Sequence, residues 1–170
     1  MKPVHRAAAA AAVAAVLVAV GTAAVAQTKS GMKEMTKDQK RGQYLVRIGG
    51  CNDCHTPEYP EKNGVVDQKL WLTGSILGWR GPWGTTYPPN LRLVVEAMSE
   101  DGFVKLARGP LRPPMPWFNL RDMRDSDVRA IYRFIKYLGP AGQPAPAYVP
   151  PDQEPKPPFV QFPAPPPAKK

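Results

Sequence analysis

Cys51-Asn52-Asp53-Cys54-His55 is the stretch on which the reading of this 170-residue chain turns. Cys-x-x-Cys-His is the pattern of covalent c-type haem attachment. Two thiols at this spacing can each add to a vinyl group along one porphyrin edge, and the next residue then lies under the iron. Cys51 and Cys54 are therefore the expected anchors, and His55 the expected proximal ligand. Competing readings fare worse on the inventory. A zinc site is built from more Cys and His ligands than this chain offers, since these are its only cysteines and His5 is its only other histidine. A thioredoxin-like pair expects a strand-helix-strand setting that the flanking sequence lacks. A disulfide between such close neighbours would close a tiny loop and gain little.

On the N-terminal side, Thr36-Lys37-Asp38-Gln39 has the form of a capping box, with Thr36 covering free first-turn amides and Gln39 reaching back. A helix is predicted from there to about Ile48, with Tyr44, Leu45 and Ile48 as its buried stripe and Gly49-Gly50 stopping it beside the haem motif. Gly42 lies inside that helix, where glycine costs about 1 kcal/mol relative to alanine. Its missing side chain would let another helix cross closely. That partner is predicted over Asp125 to Leu138, where Val128, Ile131, Ile135 and Leu138 recur at helical spacing, bordered by Phe134 and Tyr137. Phe134 is the residue expected against Gly42. Asp125 or Ser126 is expected to cap this helix, and Gly139-Pro140 ends it.

From Thr56 to Met98 no helical or strand period survives, and Gly, Pro, Asn and Trp punctuate the stretch. So long a loop is unusual in a compact domain unless a flat cofactor gives it something to pack on. Trp71, Trp79, Trp83 and Tyr87 are candidates for lining the haem, and each reads equally well as a plain core aromatic. Ser99 caps a further short helix with Phe103, Leu106 and Ala107 on its apolar side, ended by Gly109-Pro110.

The second axial ligand follows by elimination. With His55 the only histidine beyond His5, what remains is methionine, lysine, a terminal amine or an open position. Met32 and Met35 precede the motif, and Met98 and Met123 adjoin helices, where gap-filling in the core is the usual role. Met115 lies between prolines in Leu111-Arg112-Pro113-Pro114-Met115-Pro116-Trp117, extended chain with little conformational freedom to lose when its sulfur is held. Met115 is the expected ligand, ahead of Met98 and Met123.

Residues 1–26 read as an export signal: Lys2 and Arg6 precede a 20-residue uncharged run rich in alanine that ends in Ala24-Val25-Ala26. Residues 27–36 form a polar leader, 37–139 the haem domain, and 140–170 a tail with 12 prolines among 31 residues. The tail is either disordered or strapped down by Tyr148, Phe159 and Phe162. Without the signal the formal charge falls from +9 to +7. In an exported haem protein that charge suits an acidic protein partner better than nucleic acid or anionic lipid; the alternative is that it serves only solubility.

The order of Arg41-Gly42-Gln43-Tyr44-Leu45, Cys-x-x-Cys-His, Pro89-Asn90-Leu91, Gly102-Phe103 to Arg108-Gly109, Met115-Pro116-Trp117 and a closing aromatic helix resembles class I cytochrome c. More narrowly, it is similar to the monohaem domains in cytochrome subunits of bacterial periplasmic or membrane-bound dehydrogenases. The resemblance covers about Thr36 to Leu138. It implies an all-α fold, three or more helices around one largely buried haem c, with Cys51 and Cys54 holding it, His55 and Met115 on the iron, Asn90 beside it, and Gly42 against Phe134. Such subunits often carry three domains where this chain has one, and the tail is longer than a carrier needs. Arg108, Arg112, Arg121 and Arg124 cluster in sequence around the ligand loop and are expected to orient an acidic redox partner. The expected function is periplasmic transfer of single electrons between a dehydrogenase or quinol-oxidising complex and an acceptor, without catalysis of its own. The alternatives are a haem enzyme or gas sensor with a displaceable methionine, and a dedicated subunit of a dehydrogenase complex. Membrane association would require the N-terminal segment to be retained.

Overall fold

The computed structural model describes residues 34–163. The expected signal peptide (1–26), most of the leader (27–36) and the end of the proline-rich tail (164–170) lie outside the described residues.

Helix α1 (Lys37–Ile48) begins at a complete capping box: Gln39 N–H donates to Thr36 Oγ1 at 3.2 Å and Thr36 N–H to Gln39 Oε1 at 2.8 Å. It packs against α6 (Asp125–Leu138), and the two meet at Gly42. A Cβ on Gly42 would lie 2.0 Å from the Ala130 carbonyl oxygen and 2.8 Å from Phe134 Cβ. No other residue fits there. Because α6 approaches over Gly42, the buried face of α1 is Gly42, Leu45 and Val46, which corrects the stripe expected from periodicity. Tyr44 and Ile48 are 53% and 63% exposed. The same approach draws Phe134 from the border of the α6 stripe to its centre, fully buried beside Val128, Ile131 and Ile135. Burying a ring of that size contributes roughly 1.5–3 kcal/mol.

Between these helices run α2 (Cys51–His55), α3 (Leu91–Glu96), α4 (Glu100–Arg108) and α5 (Trp117–Asp122). Ser99 caps α4, its hydroxyl accepting from Gly102 N–H at 3.1 Å. Helix α6 has no side-chain cap; neither Asp125 nor Ser126 serves, and Arg124 stands at the cap position. Asp125 and Asp127 in its first turn offset the dipole instead. At its other end the buried Arg92 of α3 donates to the carbonyls of Leu138 and Gly139, and to that of Lys69 at 2.8 Å, closing the helix with a cation. Lysine could not span all three acceptors.

The all-α expectation takes one amendment. A small sheet of order β2-β1-β3 is formed by β1 (Gly78–Gly81), β2 (Gly84–Thr86) and β3 (Phe159–Gln161). Strands β1 and β2 make an antiparallel hairpin, and β3, from the tail, pairs parallel to β1 with Trp79 opposite Val160. Glycine permits the close pairing: a Cβ on Gly78 would press on Thr85, Tyr87 and Phe159 within 3.2 Å. Residues 140–163 are thus laid down as a strap, the second of the two readings of the tail. Val149 bridges Thr85 through paired backbone bonds of 2.7 and 3.0 Å, and Phe162 lies on Trp79 and Trp83 with ring centroids 5.9 and 5.3 Å apart.

Candidate functional site

Gly50, at φ +68°, turns the chain out of α1 and starts the single-turn helix α2 that carries Cys51, Cys54 and His55. Both cysteines are free thiols. Burial pushes the Cys51 thiol up to about 11 and raises that of Cys54, with the Asp53 carboxylate adding to both. Catalytic Cys-x-x-Cys pairs depend on a lowered thiol pKa. This pair is shifted the wrong way for that work.

His55 is buried, and its Nδ1 lies 2.8 Å from the Pro89 carbonyl oxygen. Burial holds the imidazole below its usual range, with the Pro89 bond opposing, so the ring is neutral at neutral pH and Nδ1–H is the donor to Pro89. Nε2 then carries the lone pair, and it accepts no hydrogen bond among the described residues. An imidazole tied at one nitrogen and bare at the other is how proteins present a metal ligand.

What places Pro89 there begins at Gly74. A Cβ at this position, φ +84°, would lie 2.8 Å from Asn90 N and 3.0 Å from Pro88 O, so only glycine lets residues 72–75 run against 88–90. Gly74 N–H donates to His55 O at 2.8 Å, fixing the same segment to α2. Behind the motif, Thr56 Oγ1 donates to Asn52 Oδ1 and accepts from Leu72 N–H, both at 2.8 Å. Asn52 and Thr56 are fully enclosed, and Asn52 Nδ2 has no acceptor among the described residues. Sequence reasoning missed this wall because a motif written Cys-x-x-Cys-His hides the residue at its first x.

Other expected site residues are placed as follows. Asn90 Oδ1 caps α3 by accepting from Arg92 and Leu93 N–H, and its Nδ2 donates to the carbonyls of Ala141 and Gln143. Trp79 and Trp83 lie under Phe162 of the strap, with Trp83 Nε1–H donating to Trp79 O at 3.3 Å, and Tyr87 packs over Gly78. Trp71 is a core aromatic, edge-on to Tyr59 and Phe134 with Nε1–H on Val66 O. Met98 and Met123, half-buried, pack against the hydrophobic core, whereas Met115, also half-buried, lies away from it on the loop between α4 and α5.

Arg108, Arg112 and Arg121, expected to face a partner, also make contacts within the chain. Arg108 turns inward, donating to the carbonyls of Leu120, Arg121 and Met123 and pairing with Asp125. It stitches α5 to α6. Arg121 pairs with its neighbour Asp122 and lies over Trp117 at 5.3 Å, and Arg112 stacks on Tyr148 of the strap at 4.3 Å. Arg124 is exposed. Among the described residues, no three His, Cys, Asp or Glu side chains converge as a metal-ion site.

No family model matches the chain, and no solved structure does. Over 125 residues it is 26% identical to a subunit of the nicotinate dehydrogenase of Pseudomonas putida, a match that takes in 64% of this chain and 9% of that subunit. The chain is distantly similar to a small part of a dehydrogenase subunit.

Proposed function

We propose that this chain is an exported electron-transfer domain of class I cytochrome c type, holding one haem c through Cys51 and Cys54 with His55 and Met115 as axial ligands. The observation that carries the reading is the buried His55 ring, bonded through Nδ1 to Pro89 and without a hydrogen bond at Nε2 among the described residues, on the same single helical turn as two free cysteines. The residues fit the group. Two reduced cysteines would each add S–H across a vinyl group of the porphyrin, sulfur to one carbon and hydrogen to the other, with no oxidant consumed. Haem so held would supply a one-electron iron couple whose potential depends on its axial ligands and burial.

The chain's own part is to bind and hold. The Pro89 carbonyl fixes the His55 tautomer and makes its Nε2 more basic. The Thr56, Asn52 and Leu72 bonds keep α2 from shifting. Of the three methionines after the motif, Met98 and Met123 pack against the hydrophobic core and Met115 does not, which favours Met115 as the second ligand. With His55 and Met115 both holding the iron, no position on it would remain for a substrate, which favours carrier over catalyst. The working partner is proposed to be a dehydrogenase, on the strength of the similarity to a dehydrogenase subunit. That similarity favours a dedicated subunit of such a complex as the second reading.

Optical spectra of the haem-loaded protein and its Met115→Ala variant test the ligand set. The variant is expected to keep its haem, turn high-spin and drop in potential. A low-spin spectrum identical to that of the parent would remove Met115 from the iron.

A further inference from the structure

The strap reaches the Met115 loop along two routes. Directly, Tyr148 lies under the Arg112 guanidinium, 4.3 Å from cation to ring centroid, three residues before Met115. Indirectly, Tyr148 O–H donates to Trp83 O at 2.7 Å and Val149 pairs with Thr85, while the next residue, Thr86, donates through Oγ1 to Pro113 O at 2.6 Å. Gly84 makes room for this contact: a Cβ there would lie 2.5 Å from Val149 O and 2.7 Å from the Tyr148 hydroxyl. The loop itself has little else. Its internal backbone bonds are Met115 N–H to Arg112 O at 3.3 Å and Trp117 N–H to Met115 O at 2.8 Å, and Arg112, Pro113 and Pro114 are exposed. Prolines on either side of Met115 restrict the chain without anchoring it. Arg112 and Pro113 are where the loop is pinned to the body of the domain, and Tyr148 stands behind both pins.

We propose that Tyr148 is a positioning residue that holds the Met115 loop, so that the proline-rich strap sets how often the methionine sulfur leaves its place. The proposal rests on the reading of Met115 as an iron ligand. It also gives the strap a purpose that a simple carrier lacks: a partner or protease acting on residues 140–163 would loosen the distal ligand without touching the haem motif.

The test uses the full chain as Tyr148→Ala, Tyr148→Phe and Arg112→Gln, with two readouts. One is amide hydrogen exchange across residues 111–117 before haem is attached. The other is the rate of cyanide binding to the ferric haem-loaded protein, together with its far-red sulfur-to-iron absorption. Loss of one exposed cation–π contact should raise the open population roughly two- to fivefold. Tyr148→Ala and Arg112→Gln are expected to speed both loop exchange and cyanide binding by that factor. Tyr148→Phe keeps the ring under Arg112 and loses only the hydroxyl's bond to Trp83 O, so it should fall between the parent and Tyr148→Ala. Arg112→Gln breaks the stack from its exposed side and leaves the strand pairing alone, so it reports even if Tyr148→Ala folds poorly. Unchanged exchange and cyanide rates in Arg112→Gln, alongside a Met115→Ala spectrum that does change, would overturn the positioning role alone. Faster exchange with a spectrum that Met115→Ala leaves unaltered would overturn the ligand assignment, and the positioning role with it.

Discussion

The helical half of the molecule and its strapped half are held together by different forces. Around α1, α4 and α6 the chain is joined by side chains meeting at helical spacing, with Gly42 set into α6 and Phe134 wholly enclosed. Around β1, β2 and residues 140–163 it is joined by backbone bonds to distant chain and by rings lying on rings: Phe162 on Trp79 and Trp83, Tyr148 under Arg112. The first half depends on packing volume and should fail all at once. The second is a set of small, separable contacts.

The largest expected effect lies in the first half. Phe134→Ala should cost about 3–5 kcal/mol in a urea unfolding series, the range for emptying a buried aromatic site. Gly42→Ala should cost about 3 kcal/mol, because its methyl meets a backbone carbonyl that cannot turn aside. A loss below about 1 kcal/mol at Gly42 would mean that the helices slide apart freely, and the contrast between the halves would weaken.

Thr56→Val lies between the halves. It removes the hydroxyl that serves both Asn52 and Leu72 and leaves a buried N–H without a partner, at a cost of about 1–3 kcal/mol. The same unfolding series reads it. In the strapped half, Phe162→Ala should cost only about 1 kcal/mol while shifting tryptophan emission to the red as Trp79 and Trp83 meet water. A fall in stability as large as that of Phe134→Ala would show the strap to be part of the core.

The smallest effect is electrostatic. Arg133 and Arg129 hydrogen-bond Glu100 and hold its carboxyl below the ordinary glutamate value. The folded pKa is depressed, so this contribution is present above the unfolded value and is lost as pH falls through the folded one. Glu100→Gln should therefore flatten the decline in urea midpoint between neutral and acid pH. An unchanged slope would assign the acid sensitivity to other carboxylates.

Much of the helical half was legible in the sequence, since capping boxes and apolar periodicity are local signals. Thr36 with Gln39, Ser99, and Gly42 facing Phe134 could all be read off the chain. The stripe of α1 was misread at Tyr44 and Ile48, because periodicity gives the spacing of a buried face and not the side from which its partner comes. The strapped half was hardly legible. A strand pairing such as Gly78 with Phe159 is made by backbone atoms across some eighty residues, and nothing in either segment announces the other. The proposed site announces itself in the sequence where chemistry fixes residue type, at Cys51, Cys54 and His55. It was opaque where geometry does: the Pro89 carbonyl, the Asn52 and Thr56 wall, and the inward turn of Arg108 each depend on a fold that composition does not show.

The most direct test of the central claim is the mass of the proteolytic peptide spanning Cys51 to His55, from the full chain produced in a host that exports it and attaches haem. One haem covalently added to that peptide, with neither thiol open to alkylation, is the predicted result. An unmodified peptide whose two cysteines both alkylate, from a colourless protein, would contradict it.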